Sequence, residues 1–289
     1  MQKKRKLQIS NGYYLVFEQL AQLLVVLKER PHLKRVPRRL FMDQTGLAER
    51  QVENLVSIAC AVGLIRPVTS TLTAFGALVV EHDGFADQIA TLEFLHFCGA
   101  GNDRNLVWFD LFNELLYELP SATAGDWLAR FREKCAPTYS RKTLTDHLQH
   151  EVRFLVDAYT KRNLRKLELI VEGPDGRFQA RRYASPDPHA LSAMIYSVAT
   201  GQKRNVWEVA EMAEMPGGPA MLLHMDIGTF RTNLEKLHER GWLRLESRHN
   251  LDQVRLRDEF TPLCFMEAYY QGREPAPARP PAKRQGLLL

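Results

Sequence analysis

Thr229, Arg231, Thr232, Asn233 and Lys236 fall within the stretch IGTFRTNLEKLHE, interleaved with Phe230, Leu234 and Leu237 at helical spacing. Hydroxyl, amide and cationic side chains on the outer face of such a helix suit a chemistry that needs no catalysis. They can donate to base edges and phosphate oxygens in a DNA groove. Gly241 falls where a helix needs a left-handed residue to end. Beyond it Leu243 and Leu245 alternate with Arg244 and Glu246, Ser247 to Asp252 reads as a loop, and Val254 and Leu256 return. The pattern predicts a helix followed by a basic hairpin, the recognition half of a winged helix, with Arg248 at the wing tip.

The same pattern recurs near the start. Leu40 to Thr45 reads as a helix, Gly46 as its turn, and Ala48 to Ala61 as a second helix whose buried stripe is Val52, Leu55, Val56 and Ala59. Gly63 ends it and Leu64-Ile65 opens a strand. The outer face carries Glu49, Arg50, Glu53 and Ser57. Two acids would repel a phosphate backbone, so Arg50, Gln51 and Asn54 are the candidate contacts there, with Arg38 and Arg39 beside them.

These helices need a frame. Tyr14 to Arg30 predicts a helix beneath the first module, and Gly84 to Glu118 is helical and strongly apolar. Asp126 to Lys134 and Thr138 to Asn163 read as two more helices, and Leu167 to Val171 with Arg177 to Tyr183 as a hairpin across Gly173-Pro174-Asp175-Gly176. Ser185-Pro186-Asp187-Pro188 marks a boundary, since two prolines in four residues prevent a continued helix. His189 to Ala199, Val206 to Ala213 and Phe260 to Tyr270 complete the C-terminal module.

The fold class expected is mainly α, with tandem winged helix-turn-helix domains joined by a helical middle region. The divisions are 1–83 with a basic arm, 84–187, 188–272, and a Pro-rich basic tail at 273–289 expected to be disordered. The middle region reads as a helical connector, with a degenerate winged helix as the alternative.

The 289 residues carry a formal charge of +5 and an isoelectric point near 9.0. The excess is clustered, at Lys3 to Lys6, at Lys34, Arg35, Arg38 and Arg39, and at Arg279, Lys283 and Arg284. Clustered cations beside helix-turn-helix patterning favour a polyanion, here double-stranded DNA. There is no run of eighteen apolar residues and no apolar core behind the first charges, so neither a membrane span nor a signal peptide is expected and the placement is cytoplasmic. Cys60, Cys98, Cys135 and Cys264 form no CxxC pair and read as reduced, packed thiols.

Other chemistry finds little support. His147, His150 and Glu151 share a helical region but match no metal signature, and His96 among Phe94, Leu95 and Phe97 reads as a satisfied core residue. Phosphate loops, nucleophile elbows and carboxylate clusters are missing, so neither a cofactor, a metal nor a catalytic residue is expected.

The order TGLAERQVENLVSIACAVGLI, LTAFGALV, DGFADQIATLEFLHF and LVWFDLFNELL, from Thr45 through Leu116, resembles a bacterial family of unknown function with winged-helix-like modules. Its members are encoded beside phosphorothioate-type DNA modification and other phage-defence genes. The resemblance implies DNA-linked defence, and it carries no catalytic residue over. The expected function is a non-catalytic DNA-binding protein, a regulator or DNA-recognition subunit of a prokaryotic phage-defence or DNA-modification system, with other defence proteins as partners. The alternative is a protein-interaction scaffold in a defence complex, which an exposed apolar patch containing Trp108 and Phe112 would favour.

Overall fold

Apolar residues at helical spacing build most of the chain, and glycines and prolines stop it where expected. The computed structural model describes residues 5–248 and 251–277. It begins with α1 (Phe17–Lys28), α2 (Arg38–Thr45) and α3 (Glu49–Ala61), followed by α4 (Ala74–His82) and α5 (Ile89–Ala100). Next come α6 (106–118), whose middle is a π turn at Leu111–Leu115, then β1 (Ser121–Ala122) and α7 (Ala124–Cys135). The long α8 (141–160) also holds a π turn, at Leu144–Leu148, and leads to β2 (Ile170–Glu172) and β3 (Phe178–Ala180). The last stretch is α9 (Pro188–Gln202), β4 (Val206–Glu208), α10 (Val209–Ala213), α11 (Pro219–Leu222), α12 (Ile227–Glu239), β5 (Leu243–Arg248), β6 (Leu251–Leu256) and α13 (Pro262–Gln271). The molecule is thus mostly helical, with two small antiparallel sheets.

The two sheets are built alike. Their strand orders are β1-β3-β2 and β4-β6-β5, so in each the earliest strand pairs with the last strand of a hairpin. The elements leading to them also correspond: a helix, the single strand, further helices ending in one that runs into the hairpin. The N-terminal stretch follows this order with almost no strand. Its hairpin is one bridge, Ile65 to Leu72, and the Val36 N–H donates to the Thr69 carbonyl at 2.9 Å where the single strand would pair. Pro67, within that hairpin, has no N–H to give a ladder.

Several boundaries differ from those read in the sequence. Val206–Glu208 is a strand, not the start of a helix, because Trp207 pairs with Val254 in the sheet. The hairpin strands run on to Arg248 and resume at Leu251, inside the expected loop. Leu64 and Ile65 make only the single bridge.

Buried apolar side chains form one contiguous cluster reaching from Leu7 to Met266. The proline segment is fastened to it. The Asp187 N–H donates to the Glu93 carboxyl on α5 at 3.0 Å, and the Asp187 side chain accepts from the N–H groups of His189 and Ala190 to start α9. Burial pushes Glu93 up to about 8, so near neutrality this joint is largely an uncharged one. Glu274, in the first residues of the expected tail, accepts from the Trp242 indole N–H at 2.9 Å; residues 278–289, with Arg279, Lys283 and Arg284, lie outside the described residues.

Candidate nucleic-acid interface

The last helix before each hairpin presents a face to solvent, and the three faces differ in what is left for a ligand. α12 is started by Asp226, whose carboxylate accepts the Thr229 N–H at 2.8 Å. It ends at Gly241, whose φ of +71° suits a residue without Cβ. Phe230, Leu234 and Leu237 are buried as the spacing predicts. Thr229 is half-buried, while Thr232 and Lys236 are exposed.

Two of the expected contacts on this helix do not reach outward. Asn233 is only 5% exposed; its amide donates to the Ala184 carbonyl at 3.0 Å and to the Thr229 carbonyl at 2.9 Å. Its role is to tie α12 to the segment that precedes α9. Arg231 lies against the hairpin, donating to both oxygens of Asp252 at 2.7 and 3.3 Å, to Ser247 Oγ at 3.0 Å and to Glu235. The Arg231 hydrogen bond, aided by Ser247, holds the Asp252 carboxyl below the usual range, so the pair is ionised and its charge is cancelled locally. A groove of about 290 Å³ beside it is lined by Glu208, Val209, Ala210, Ile227 and Gly228 together with the Arg231–Asp252 pair. The side chain of Arg248 lies outside what is described.

α3 is similarly committed. Asn54 is 2% exposed and accepts from the Asn11 amide, and Gln51 reaches back to the Ala48 N–H at 3.0 Å as part of the helix start. Both are structural, so neither reads bases. Arg38 is paired with Glu53, and Arg39 lies 3.9 Å from Asp43 on an exposed turn. Arg50 is exposed.

The basic arm is also partly built in. Arg5 donates to the buried Asp110 at 2.5 Å and to the Asp103 carbonyl at 2.6 Å, and its guanidinium lies 5.2 Å from the Phe109 ring centre. Lys6 donates to Ser57 Oγ on α3 at 2.7 Å. Lys134 completes the neutralisation of Asp110 at 2.9 Å and also pairs with Glu114. Lys3 and Lys4 lie outside the described residues.

α8 carries Arg141 and Lys142 in its first turn, and neither forms an ion pair among the described residues. Its inner face is anchored deeply. The Trp108 indole N–H donates to the Tyr159 hydroxyl at 2.9 Å, and that hydroxyl donates to His96 Nδ1 at 2.5 Å. His96 Nε2–H is then free to donate to the Leu222 carbonyl at 3.0 Å. Burial lowers His96 to about 3, so it is a neutral hydrogen-bonded link in the core. Glu151 accepts from both the N–H and the hydroxyl of Ser10, at 2.9 and 2.7 Å, and holds the segment that reaches α3. Among the described residues no group of three or more His, Cys, Asp or Glu side chains comes together that could hold a metal ion.

The outer side of α8 exposes Arg141, Lys142, Thr145, Asp146, Gln149 and Arg153. Arg153 is partly engaged, donating to the Gly12 carbonyl at 3.3 Å and lying 5.4 Å from the Tyr14 ring centre. The sequence pattern assigns this face to a connector because α8 is longer than the other two and β1, which pairs with β3 in the neighbouring sheet, has only two residues. Trp108 and Phe112, the residues proposed for an apolar docking patch, are both fully buried. Among the described residues no helix is long and apolar enough to cross a membrane.

No family model matches the chain, and no curated protein matches it. Solved structures do. The fold is similar to a magnesium-bound crystal structure of SspB, with a TM-score of 0.72 and 14% identity over 92% of this chain and 87% of that one. A second SspB crystal structure matches at a TM-score of 0.71 with the same identity and coverage. At that identity the likeness is one of fold: this chain shares with SspB the arrangement of its helices and small sheets.

Proposed function

We propose that the protein is a non-catalytic DNA-binding subunit of a prokaryotic phage-defence or DNA-modification system, built from three successive winged-helix modules. The observation that carries the reading is the repeated element and strand order. Each module brings one helix beside a hairpin and turns that helix's polar side to solvent, the arrangement by which winged helices enter a groove. The middle module, rather than connecting two others, is a further copy. The defence setting rests on the family resemblance of Thr45 to Leu116, and the SspB-like fold is compatible with it.

Thr232 and Lys236 on α12, with Arg39 and Arg50 in the first module, are the remaining outward candidates of the two modules read in the sequence. A scaffold role has less support, because Trp108 and Phe112 are core residues and offer a partner no surface. The test is binding of the full chain to a labelled random duplex across a salt series. Phosphate-dominated binding loses affinity steeply, by about 10³ to 10⁵ between about 50 and 200 mM salt for six to ten contacts. Absence of binding at the lowest salt would contradict the proposal and return the scaffold reading.

A further inference from the structure

The turn between α7 and α8 forms a groove of about 500 Å³, lined by Arg132, Ala136, Tyr139, Arg141, Leu144 and Thr145. No carboxylate lines it. Lys142, next to Arg141 in the first turn of α8, adds a third exposed cation. Among the described residues none of these three side chains forms an ion pair, although acids are close by in sequence. Glu133 is taken by Arg130, Glu114 by Lys134, and Asp110 by Arg5 and Lys134. These three acids are therefore already used; Asp146 on α8 is exposed and unpaired among the described residues but does not line the groove, whose own lining carries Arg132 and Arg141 and no carboxylate.

The groove wall is ordered by the fold. The Tyr139 hydroxyl donates to the Arg5 carbonyl at 2.7 Å, and Ser140 Oγ accepts the Thr143 N–H at 3.2 Å to start α8. Directly after them the π turn at Leu144–Leu148 replaces the ordinary helical repeat, a feature common at functional positions. Charge left over beside a solvated helix is usually just a solvated face. Here the cations converge from two helices onto one concave turn, with a fixed aromatic wall.

We infer that this turn of the middle module is a docking site for the phosphate backbone of duplex DNA, with Arg132, Arg141 and Lys142 as its phosphate contacts. The inference rests on the DNA-binding reading above and places the main contact on a module that the sequence pattern assigns to a connector. Uncancelled cations in an open groove complement a polyanion, and Arg offers phosphate a forked donor set.

The experiment compares the full chain with R132A/R141A/K142A and with K142A alone, using fluorescence anisotropy of a labelled random duplex across a salt series. All three residues are exposed and unpaired, so circular dichroism and the thermal midpoint should match the wild type. The triple variant should bind at least about tenfold more weakly at low salt, and its log–log salt slope should shrink by roughly two to three. K142A should lose part of the same effect, and lysine at positions 132 and 141 should retain most of it. If the wild type binds and the triple variant binds equally well, the inference is overturned while the DNA-binding reading stands. If the wild type fails to bind at low salt, both fall.

Discussion

α8 and α12 occupy the same place in their modules and have been put to different use. α12 is held from its outer side: Arg231, the strongest donor on its exposed face, is bound by Asp252, Glu235 and Ser247 of its own module. α8 is held from within, by the Tyr159–His96–Trp108 network and by Glu151, while Arg132, Arg141 and Lys142 around its start form no ion pair among the described residues. Anchoring a helix through its buried face leaves its cations for a ligand; anchoring it through its exposed arginine consumes them. Position in a recognised motif therefore says less about contact than where the counter-charges lie.

The comparison can be broken at several points, beginning with the anchor of α8. Tyr159→Phe removes the hydroxyl that serves two partners, leaving His96 Nδ1 and the Trp108 N–H unpaired in the core. Leaving a buried group unsatisfied costs about 1–3 kcal/mol each, so a loss of about 2 kcal/mol or more in a denaturant titration is expected. A change below about 0.5 kcal/mol would mean that the network does not anchor the helix.

Acid should attack the same network. His96 and His224 are lowered by burial, to about 3 and about 4, so the unfolded chain binds more protons than the folded one from those values up to 6.5. Their contribution is present above 6.5 and is lost as pH falls through that window. Glu93, raised to about 8, and Glu151, also raised by burial, act in the opposite sense above 4.5, so the two sets of groups oppose each other across this window. Removing one histidine isolates its share: relative to the wild type, His224→Gln should raise the thermal midpoint at pH 5 compared with that at pH 7, and an unchanged difference would remove His224 from the account.

The smallest effects belong to α12. Arg231→Ala breaks ion pairs that are more than a third exposed, whose worth is about 0–1 kcal/mol after solvent screening. Its DNA affinity should change less than about threefold, a free-energy difference of the same small size. A tenfold loss would show that Arg231 leaves Asp252 on binding, and would shift the main contact to the C-terminal module.

Much of this arrangement was legible in the sequence because it is local. Gly241 and Gly63 end their helices with positive φ, Val52, Leu55 and Ala59 of the expected stripe are buried while Val56 is half-buried and Ile58 takes the core position, and the C-terminal hairpin follows its alternation. His96 is the satisfied core residue its neighbours suggest. What was missed depends on distant partners. Val206, Val209, Ala210 and Ala213 recur at a spacing that suits a helix, and only pairing with Gln253–Arg255 makes Val206–Glu208 a strand. Asn54 and Asn233 look like outward polar residues until Asn11 and the Ala184 carbonyl meet them. Arg231 and Glu235 are four residues apart, a pairing visible in sequence, but Asp252 comes from the hairpin. The middle region reads first as a connector, with a degenerate winged helix only as the alternative, because β1, too short to show a period, supplies the strand that makes its sheet three-stranded.

Lys142 and Lys236 offer the most direct test, since each is an exposed lysine on one of the two compared helices. Their labelling by an amine-acylating reagent can be followed by mass spectrometry in the full chain, with and without saturating duplex DNA at low salt. The account predicts strong protection of Lys142 by the duplex and weaker protection of Lys236. Protection of Lys236 with Lys142 still fully labelled would contradict it and place the DNA on the C-terminal module.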